Sequence, residues 1–189
     1  MKSRCSIMFE INHHQIIGVK QCCSPHFNER PDGVAGEISL LVIHNISLPA
    51  GCFNTPFIED LFLGRLDCSK DESFADLEGL QVSAHCVINR SGEITQYVPF
   101  NKRAWHAGVS NYAGRSNCND FSIGIELEGT DHTPYSQAQY ASLIAVAKSL
   151  LTHYPKLTKN HIVGHCDIAP ERKTDPGPSF DWQYFLAQL

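Results

Sequence analysis

The chain has no long apolar run, no block of like charges and no repeated or low-complexity segment. No stretch approaches the roughly 20 apolar residues that a membrane-spanning helix needs. Polar residues interrupt positions 1–20, and no lipidation motif is present there, so the sequence predicts neither a signal peptide nor a membrane anchor. A formal net charge of −5 without a basic cluster argues against general nucleic-acid binding.

The size of the chain predicts one domain spanning 1–189, with residues 1–37 as an irregular N-terminal segment packed on it. The hydrophobic share of 42% is adequate for a globular core. Eight cysteines are compatible with four disulfides in an exported protein. A domain of this size does not need such cross-links, and no signal peptide is visible. We therefore interpret the thiols as mostly reduced and the protein as cytoplasmic.

The hydrophobic pattern mixes strand and helix periods, which predicts an α/β fold. An apolar, β-branched run at 38–43 predicts a buried central strand with His44 at its C-terminal end, where α/β sheets usually place their chemistry. Residues 121–128 alternate between apolar and polar side chains, as in a strand with two different faces. The remaining elements are strands at 82–88 and 93–98 joined by a turn at 89–92, a helix at 136–154 capped by Ser136, and short helices near 71–79 and from 179 onward.

Residues 164–178 combine a histidine, a lysine and an aspartate with three prolines and two glycines. Such a segment is stiff, and rigidity suits catalytic groups and metal ligands. His165 and Asp175 offer atoms that zinc accepts, and Lys173 would share a side with Asp175 in an extended segment. Each residue also has an ordinary structural interpretation. The histidine could be a buried polar group, the lysine a surface charge and the aspartate a loop cap.

This segment resembles the C-terminal signature of the zinc-dependent N-acetylmuramoyl-L-alanine amidases. The resemblance extends over most of the chain, from about residue 38 to 182. Its further motifs are at 41–49, 82–85, 97–100, 104–108 and 119–129. It implies a single α/β domain with a mixed central β-sheet flanked by helices and a zinc site in a groove on one face.

The resemblance implies that His44, His165 and Asp175 hold one zinc ion per chain. Two histidines and a carboxylate leave one coordination position open, which is typical of catalytic zinc. Cys166 is a rival ligand because thiolate binds zinc well. Neighbouring residues of an extended segment point apart, however, so His165 and Cys166 are not expected to bind the same ion.

The same resemblance implies a catalytic pair, Glu126 and Lys173. Glu126 would act as the general base, with Gly124 leaving room for water or substrate. Its ordinary interpretation is a solvated carboxylate on a strand, and Glu128 on the same face is a rival that the pattern cannot separate. Lys173 would direct its charge at the oxyanion of the reaction, and Arg172 is expected to point away.

The resemblance implies that Trp105 and His106 line the sugar subsite. Asn45, directly after His44, is a candidate either for a sugar contact or for a residue that supports the metal ligands. A tryptophan is by default a core residue, and His85 could serve either behind the site or in the core. Arginines are often present in the family where this chain has Gln81 and Asn117, which leaves recognition of the peptide carboxylate open. Four arginines could substitute for them, without a ranking from sequence: Arg65, Arg90, Arg103 and Arg115.

The implied reaction is hydrolysis of the amide bond between the lactyl group of 1,6-anhydro-N-acetylmuramic acid and L-alanine. This would occur during cell-wall recycling and would limit muropeptides that induce β-lactamase. We expect a monomer whose partner is the muropeptide, with no nucleic acid or membrane partner. Two alternatives are a non-catalytic peptidoglycan-binding module and an exported amidase acting on murein. The presence of Glu126, Lys173 and Asp175 disfavours the first, and the missing signal peptide disfavours the second.

Overall fold

The computed structural model describes residues 8–33 and 37–189 and has a mixed six-stranded sheet at its centre. The strands are β1 (Ile11–Asn12), β2 (Gln15–Ile16), β3 (Lys20–Gln21), β4 (Phe27–Glu29), β5 (Leu40–Ile46), β6 (Cys86–Ile88), β7 (Ile94–Gln96), β8 (Lys102–Ala104), β9 (Asn111–Tyr112), β10 (Arg115–Ser116), β11 (Ser122–Glu128) and β12 (Ile162–Gly164). The α-helices are α1 (Phe57–Phe62), α2 (Gln137–His153), α3 (His165–Ile168) and α4 (Trp182–Ala187). Short 3₁₀ turns occupy Cys68–Lys70, Glu72–Leu77, Cys118–Asp120 and Lys159–His161.

The order of strands in the central sheet is β12-β5-β11-β6-β7-β3. The first four are parallel, β7 runs antiparallel to β6, and β3 is parallel to β7. This arrangement confirms the predicted α/β fold with a mixed sheet. In the register of β5 and β11, His44 lies opposite Glu126. The two side chains therefore project from adjacent strands at the same level of the sheet.

The two faces of the sheet carry different chemistry. Ile123, Ile125 and Leu127 of β11 belong to the largest core cluster, together with buried apolar residues of α2. The opposite face of β11 carries Ser122, Gly124, Glu126 and Glu128. The predicted alternation is confirmed, but the polar face is not solvated, because every residue of β11 is buried. The ordinary interpretation of Glu126 as a solvent-exposed strand carboxylate is therefore wrong.

The helix predicted at 136–154 is confirmed as α2. The Ser136 hydroxyl accepts from the backbone N–H of Gln139, whose side chain in turn accepts from the Ser136 N–H. This reciprocal cap satisfies two backbone donors at the helix start. The helix predicted from 179 begins later, because the Asp181 carboxylate caps α4 by accepting from the Tyr184 N–H.

Several strands differ in length from the prediction. The strand expected at 38–43 starts at Leu40 and continues through His44 to Ile46, so His44 lies within β5. The strands expected at 82–88 and 93–98 are confined to three residues each in β6 and β7. One reason why β6 starts later than residue 82 is that Ser83 donates its backbone N–H to the carbonyl of Trp105. The helix expected near 71–79 consists of 3₁₀ turns.

The N-terminal segment, expected to be irregular, contributes four short strands, and β3 joins the central sheet. Residues 1–7 and 34–36 of that segment lie outside the described residues. Arg30 is buried and donates to the carbonyls of Phe100, Asn119, Asp120 and Ser122. Four charge-assisted hydrogen bonds tie this segment to the backbone of Phe100 and of the chain entering β11.

Across the described residues, no helix has the length and apolar character needed to cross a membrane. The seven cysteines there are free thiols.

Candidate metal centre

Three side chains meet on the face of the sheet opposite α2. The Nδ1 of His44 lies 3.0 Å from the Nδ1 of His165 and 3.0 Å from the Oδ2 of Asp175. The His165 Nδ1 lies 3.1 Å from the same carboxylate oxygen. Among the described residues, this is the group of histidine, cysteine and acidic side chains that could hold a metal ion. Cys166, the rival ligand, is not part of it.

Local structure explains how residues so far apart in sequence meet. Strand β12 pairs with β5 and ends at Gly164, where the chain turns into α3 with His165 as its first residue. A Cβ on Gly164 would lie 2.8 Å from Pro176 Cδ, so only glycine lets the following loop approach this closely. The Cys166 N–H donates to the Asp175 carbonyl over 3.0 Å, which brings the carboxylate to His165.

The outer nitrogens of both histidines have partners in one loop. The Nε2 of His165 lies 3.1 Å from the Ala107 carbonyl, and the Nε2 of His44 lies 2.9 Å from the Nδ1 of His106. A carbonyl only accepts, so we assign the proton of His165 to Nε2. We assign the same tautomer to His44, whose proton His106 accepts. The inner Nδ1 atoms of both histidines could then bind a cation.

The geometry and charge of this group fit a metal ion. Ligand atoms about 2.0 Å from a tetrahedral zinc lie roughly 3.3 Å apart, close to the distances given above. Burial lowers the pKa of His44 to about 4, although Asp175 acts in the opposite direction. Burial also raises the pKa of Asp175, but its contacts with His165 and His44 outweigh burial and hold the pKa below its ordinary value. A neutral imidazole and an ionised carboxylate are the forms that bind metal.

Glu126 stands beside this group with an unsatisfied oxygen. Its Oε1 lies 3.9 Å from the Nδ1 of His44, and its buried Oε2 has no hydrogen-bond partner among the described residues. Burial raises the pKa of Glu126 well above its ordinary value, the charge of Asp175 adds to the rise, and Lys173 opposes it. A buried acceptor normally has a donor, and a water molecule bound to a metal ion held by the neighbouring side chains would supply one.

Glu128, the rival carboxylate, has quite different surroundings. It accepts the Asn54 N–H at 2.5 Å and the Arg90 N–H at 3.0 Å, one on each oxygen. The alternating pattern could not separate the two glutamates, since they share a face of β11. Their neighbours do: Glu128 holds two loops in place, and Glu126 lies next to the histidines.

Lys173 lies close enough to affect the centre electrostatically. Its charge contributes to lowering the pKa of His44 and restrains the rise of the Glu126 pKa. Its backbone N–H donates to the Ala169 carbonyl at 2.9 Å, which continues the turn after α3. Its ammonium has no ion pair with a carboxylate of the described chain and can face a charge that forms in the site.

The predicted substrate residues occupy three different positions. Trp105 is half-buried, stacks on His26 and donates its indole N–H to Asn28 at 2.8 Å. The Asn45 amide donates to Asp131 at 2.8 Å and lines a groove of about 400 Å³ at the end of β5. His106 lies behind His44.

The expected role of Gly124 is wrong. A Cβ there would lie 2.4 Å from the ring of His106. The missing side chain therefore admits this imidazole, and not water or substrate.

Two further predictions from sequence concern His85 and the arginines. His85 is buried and bonds to the Gly124 N–H and the Lys102 carbonyl, so it belongs to the core. Among the arginines considered for the substrate carboxylate, Arg65 and Arg103 pair with acidic side chains of the chain itself. Arg90 donates to backbone carbonyls. The guanidinium of Arg115 stacks 3.9 Å from the Phe121 ring centroid and is exposed.

Two residues that hold the loop behind His44 and His165 were not predicted from the sequence. Arg172 was expected only to point away, but it donates to the carbonyls of Ala107 and Val109. Asn119 accepts from the backbone N–H groups of His106 and Ala107. Neither contact can be recognised from the local sequence pattern, because each joins two separate loops.

The comparisons with known proteins agree with this geometry. Residues 35–178 match the family model described as N-acetylmuramoyl-L-alanine amidase. The chain belongs to the N-acetylmuramoyl-L-alanine amidase family. It is 58% identical over 170 residues to the 1,6-anhydro-N-acetylmuramyl-L-alanine amidase AmpD of Escherichia coli (strain K12), covering 90% of this chain and 91% of the relative.

Solved structures of amidases resemble this one. A crystal structure of a selenomethionine derivative of AmpD has a TM-score of 0.92 and 56% identity, covering 95% of this amidase and 99% of that chain. AmiD from E. coli, solved in complex with the substrate anhydro-N-acetylmuramic acid-L-Ala-D-γ-Glu-L-Lys, has a TM-score of 0.61 and 31% identity. That match covers 86% of this chain and 65% of AmiD. The family is zinc-dependent in general, and the His-His-Asp group is where a metal could bind in this amidase.

Proposed function

We propose that this protein is a zinc-dependent amidase of cell-wall recycling. It hydrolyses the amide bond between the lactyl group of 1,6-anhydro-N-acetylmuramic acid and L-alanine, and so limits β-lactamase-inducing muropeptides. The observation that carries the proposal is the meeting of His44, His165 and Asp175 beside the unsatisfied carboxylate oxygen of Glu126. The identity to AmpD supports the substrate class.

His44, His165 and Asp175 would hold one zinc ion, with their inner atoms as ligands. Zinc bound there supplies a Lewis acid and lowers the pKa of water from 15.7 toward about 7. Glu126 takes a proton from the attacking water and returns it to the leaving amine of L-alanine. Burial raises its pKa above the ordinary value, which makes it a stronger base for the proton of water.

Lys173 stabilises negative charge on the carbonyl oxygen of the scissile amide. Its ammonium has no carboxylate partner within residues 8–33 and 37–189, and its charge influences the pKa of Glu126, which supports a position near the reacting atoms. The charge matters most in the transition state, where the carbonyl oxygen becomes an oxyanion.

Substrate contacts are proposed from position and chemistry. Trp105 offers an aromatic surface for the sugar, and Asn45 offers an amide at the mouth of a neighbouring groove. His106 acts chiefly through His44. A second groove of about 760 Å³, with Val87, Ile94 and Tyr97 in its lining, is large enough for part of a muropeptide. We propose that the enzyme acts as a cytoplasmic monomer without nucleic acid or membrane partners.

The test of this function is product analysis by mass spectrometry. The zinc-loaded protein, given 1,6-anhydro-N-acetylmuramyl tripeptide, should release the free tripeptide and the anhydro sugar. Exhaustive chelation should abolish release, and added zinc should restore it. Binding of an intact substrate by the zinc-loaded protein would support a non-catalytic module instead, and cleavage that survives complete metal removal would refute the metal centre.

Replacement of Lys173 by methionine keeps much of the side chain's length and removes its charge. We expect Lys173→Met to reduce kcat by about 10²-fold or more, on the scale of losing one oxyanion donor. Zinc content and substrate affinity should change little, as measured by metal analysis and by binding to the chelated enzyme. A variant with normal kcat and a raised KM would show that Lys173 only anchors the substrate.

A further inference from the structure

We propose that Asn119 is a positioning residue for both histidine ligands. It acts through the 106–107 loop, defined here as His106 and Ala107, which supplies the outer partners of His44 and His165. The inference rests on the proposed metal centre, and it concerns how this chain holds the centre rather than which residues bind the ion.

One side-chain oxygen organises this loop. The Oδ1 of Asn119 accepts the His106 N–H at 3.1 Å and the Ala107 N–H at 2.8 Å. Two successive backbone donors on one acceptor hold the peptide planes on either side of the His106 Cα. This places the imidazole of His106 against the Nε2 of His44. It also fixes the start of the next peptide unit, whose Ala107 carbonyl lies 3.1 Å from the Nε2 of His165. Asn119 is itself buried, with 7% of its surface exposed.

Asn119 is anchored independently of the ligands. It lies in the 3₁₀ turn Cys118–Asp120 that leads into β11. Its own carbonyl and that of Asp120 accept from the buried guanidinium of Arg30, at 3.0 and 2.8 Å. The preceding Cys118 N–H donates to the hydroxyl of Ser110 at 3.1 Å. The amide oxygen thus projects from a fixed support into the loop.

The far side of the 106–107 loop is also held. The ring of His106 fits against Gly124, and its Nε2 lies 3.2 Å from the Ser122 hydroxyl. Arg172 donates to the Ala107 carbonyl at 2.8 Å from the other direction. Since both outer partners belong to adjacent residues, any displacement of the loop turns both ligand rings at once. Loss of an outer partner of a ligating histidine typically weakens metal binding by about 10- to 100-fold.

The experiment compares three variants of the full chain with the wild type. Asn119→Leu keeps the volume and removes the acceptor, whereas Asn119→Asp keeps the shape and an acceptor oxygen. Asn89→Leu is the matched control, because Asn89 Oδ1 also accepts two backbone N–H groups, from Ser91 at 3.0 Å and Glu93 at 2.9 Å, outside the metal centre. The zinc dissociation constant is measured by competition with a chromophoric chelator, and the Tm of the metal-free protein by circular dichroism.

Asn119→Leu should raise the zinc dissociation constant by about 10-fold or more. Asn119→Asp should restore most of the zinc affinity. Asn89→Leu should lower Tm without changing the zinc dissociation constant. Equal zinc affinity in wild type and Asn119→Leu would overturn the positioning role, as would an equal loss in Asn89→Leu. Should Asn119→Leu not fold, Asn119→Ser, whose hydroxyl is too short to reach both donors, replaces it with the same expectation. A wild type that binds no zinc would refute the proposed metal centre itself.

Discussion

Glu126→Gln should keep its zinc and lose about 10²- to 10⁴-fold in kcat, the usual contribution of a general base. Glutamine fills the same space on β11 but cannot take a proton from water. Because Glu126 lies 3.9 Å from His44 and is not among the three ligand side chains, the metal content should stay at one ion per chain. The measurements are kcat with anhydro-muramyl tripeptide and metal analysis of the same preparation.

The control for this variant is Glu128→Gln. Its oxygens hold the backbone of Asn54 and Arg90, so the substitution should lower Tm while leaving kcat near the wild-type value. The opposite pattern, with a crippled Glu128→Gln and an active Glu126→Gln, would show that the general base has been assigned to the wrong carboxylate.

His165→Ala should lose zinc and activity together. The change removes one of three ligands and leaves the Ala107 carbonyl without its imidazole partner. The two remaining side chains, His44 and Asp175, form an incomplete site, since catalytic zinc normally has three protein ligands. Dialysis followed by metal analysis should find little zinc, and turnover should fall to background.

His153→Ala provides the comparison, because His153 is exposed at the end of α2 and outside the metal centre. It should retain full zinc and turnover. Retention of both in His165→Ala would refute the ligand assignment and would direct attention to other donors near Asp175.

The parts of the fold that could be predicted have strong local signals. The helix α2 has an apolar stripe and a Ser136 cap, and β11 has strict alternation between two kinds of side chain. The extent of β5 was underestimated because His44 and Asn45 are polar, although their position beside β11 keeps the chain extended. The short strands of the N-terminal segment depend on partners elsewhere in the chain, which no local pattern reveals.

The site was predicted through family resemblance rather than from spacing. Sequence alone left Glu126 and Glu128 equivalent, because both lie on one strand face, and only their neighbours from other loops separate them. The prediction that Gly124 leaves room for water or substrate was also wrong, because the ring of His106 occupies the space beside it. The contacts of Asn119 and Arg172 could not be predicted for the same reason. Each joins two segments that are brought together only by the complete fold. The catalytic and ligand roles themselves remain predictions for the experiments above.

The proposed ligands of the centre are spread very unevenly along the chain, with His44 and His165 separated by 121 positions. An ion bound there would act as a cross-link that closes a long loop, and such a cross-link restricts the unfolded chain more than a local one. During synthesis, His165 and Asp175 would emerge long after His44. A shortage of zinc would then affect how much of the protein reaches and keeps its folded form, in addition to how fast that form works.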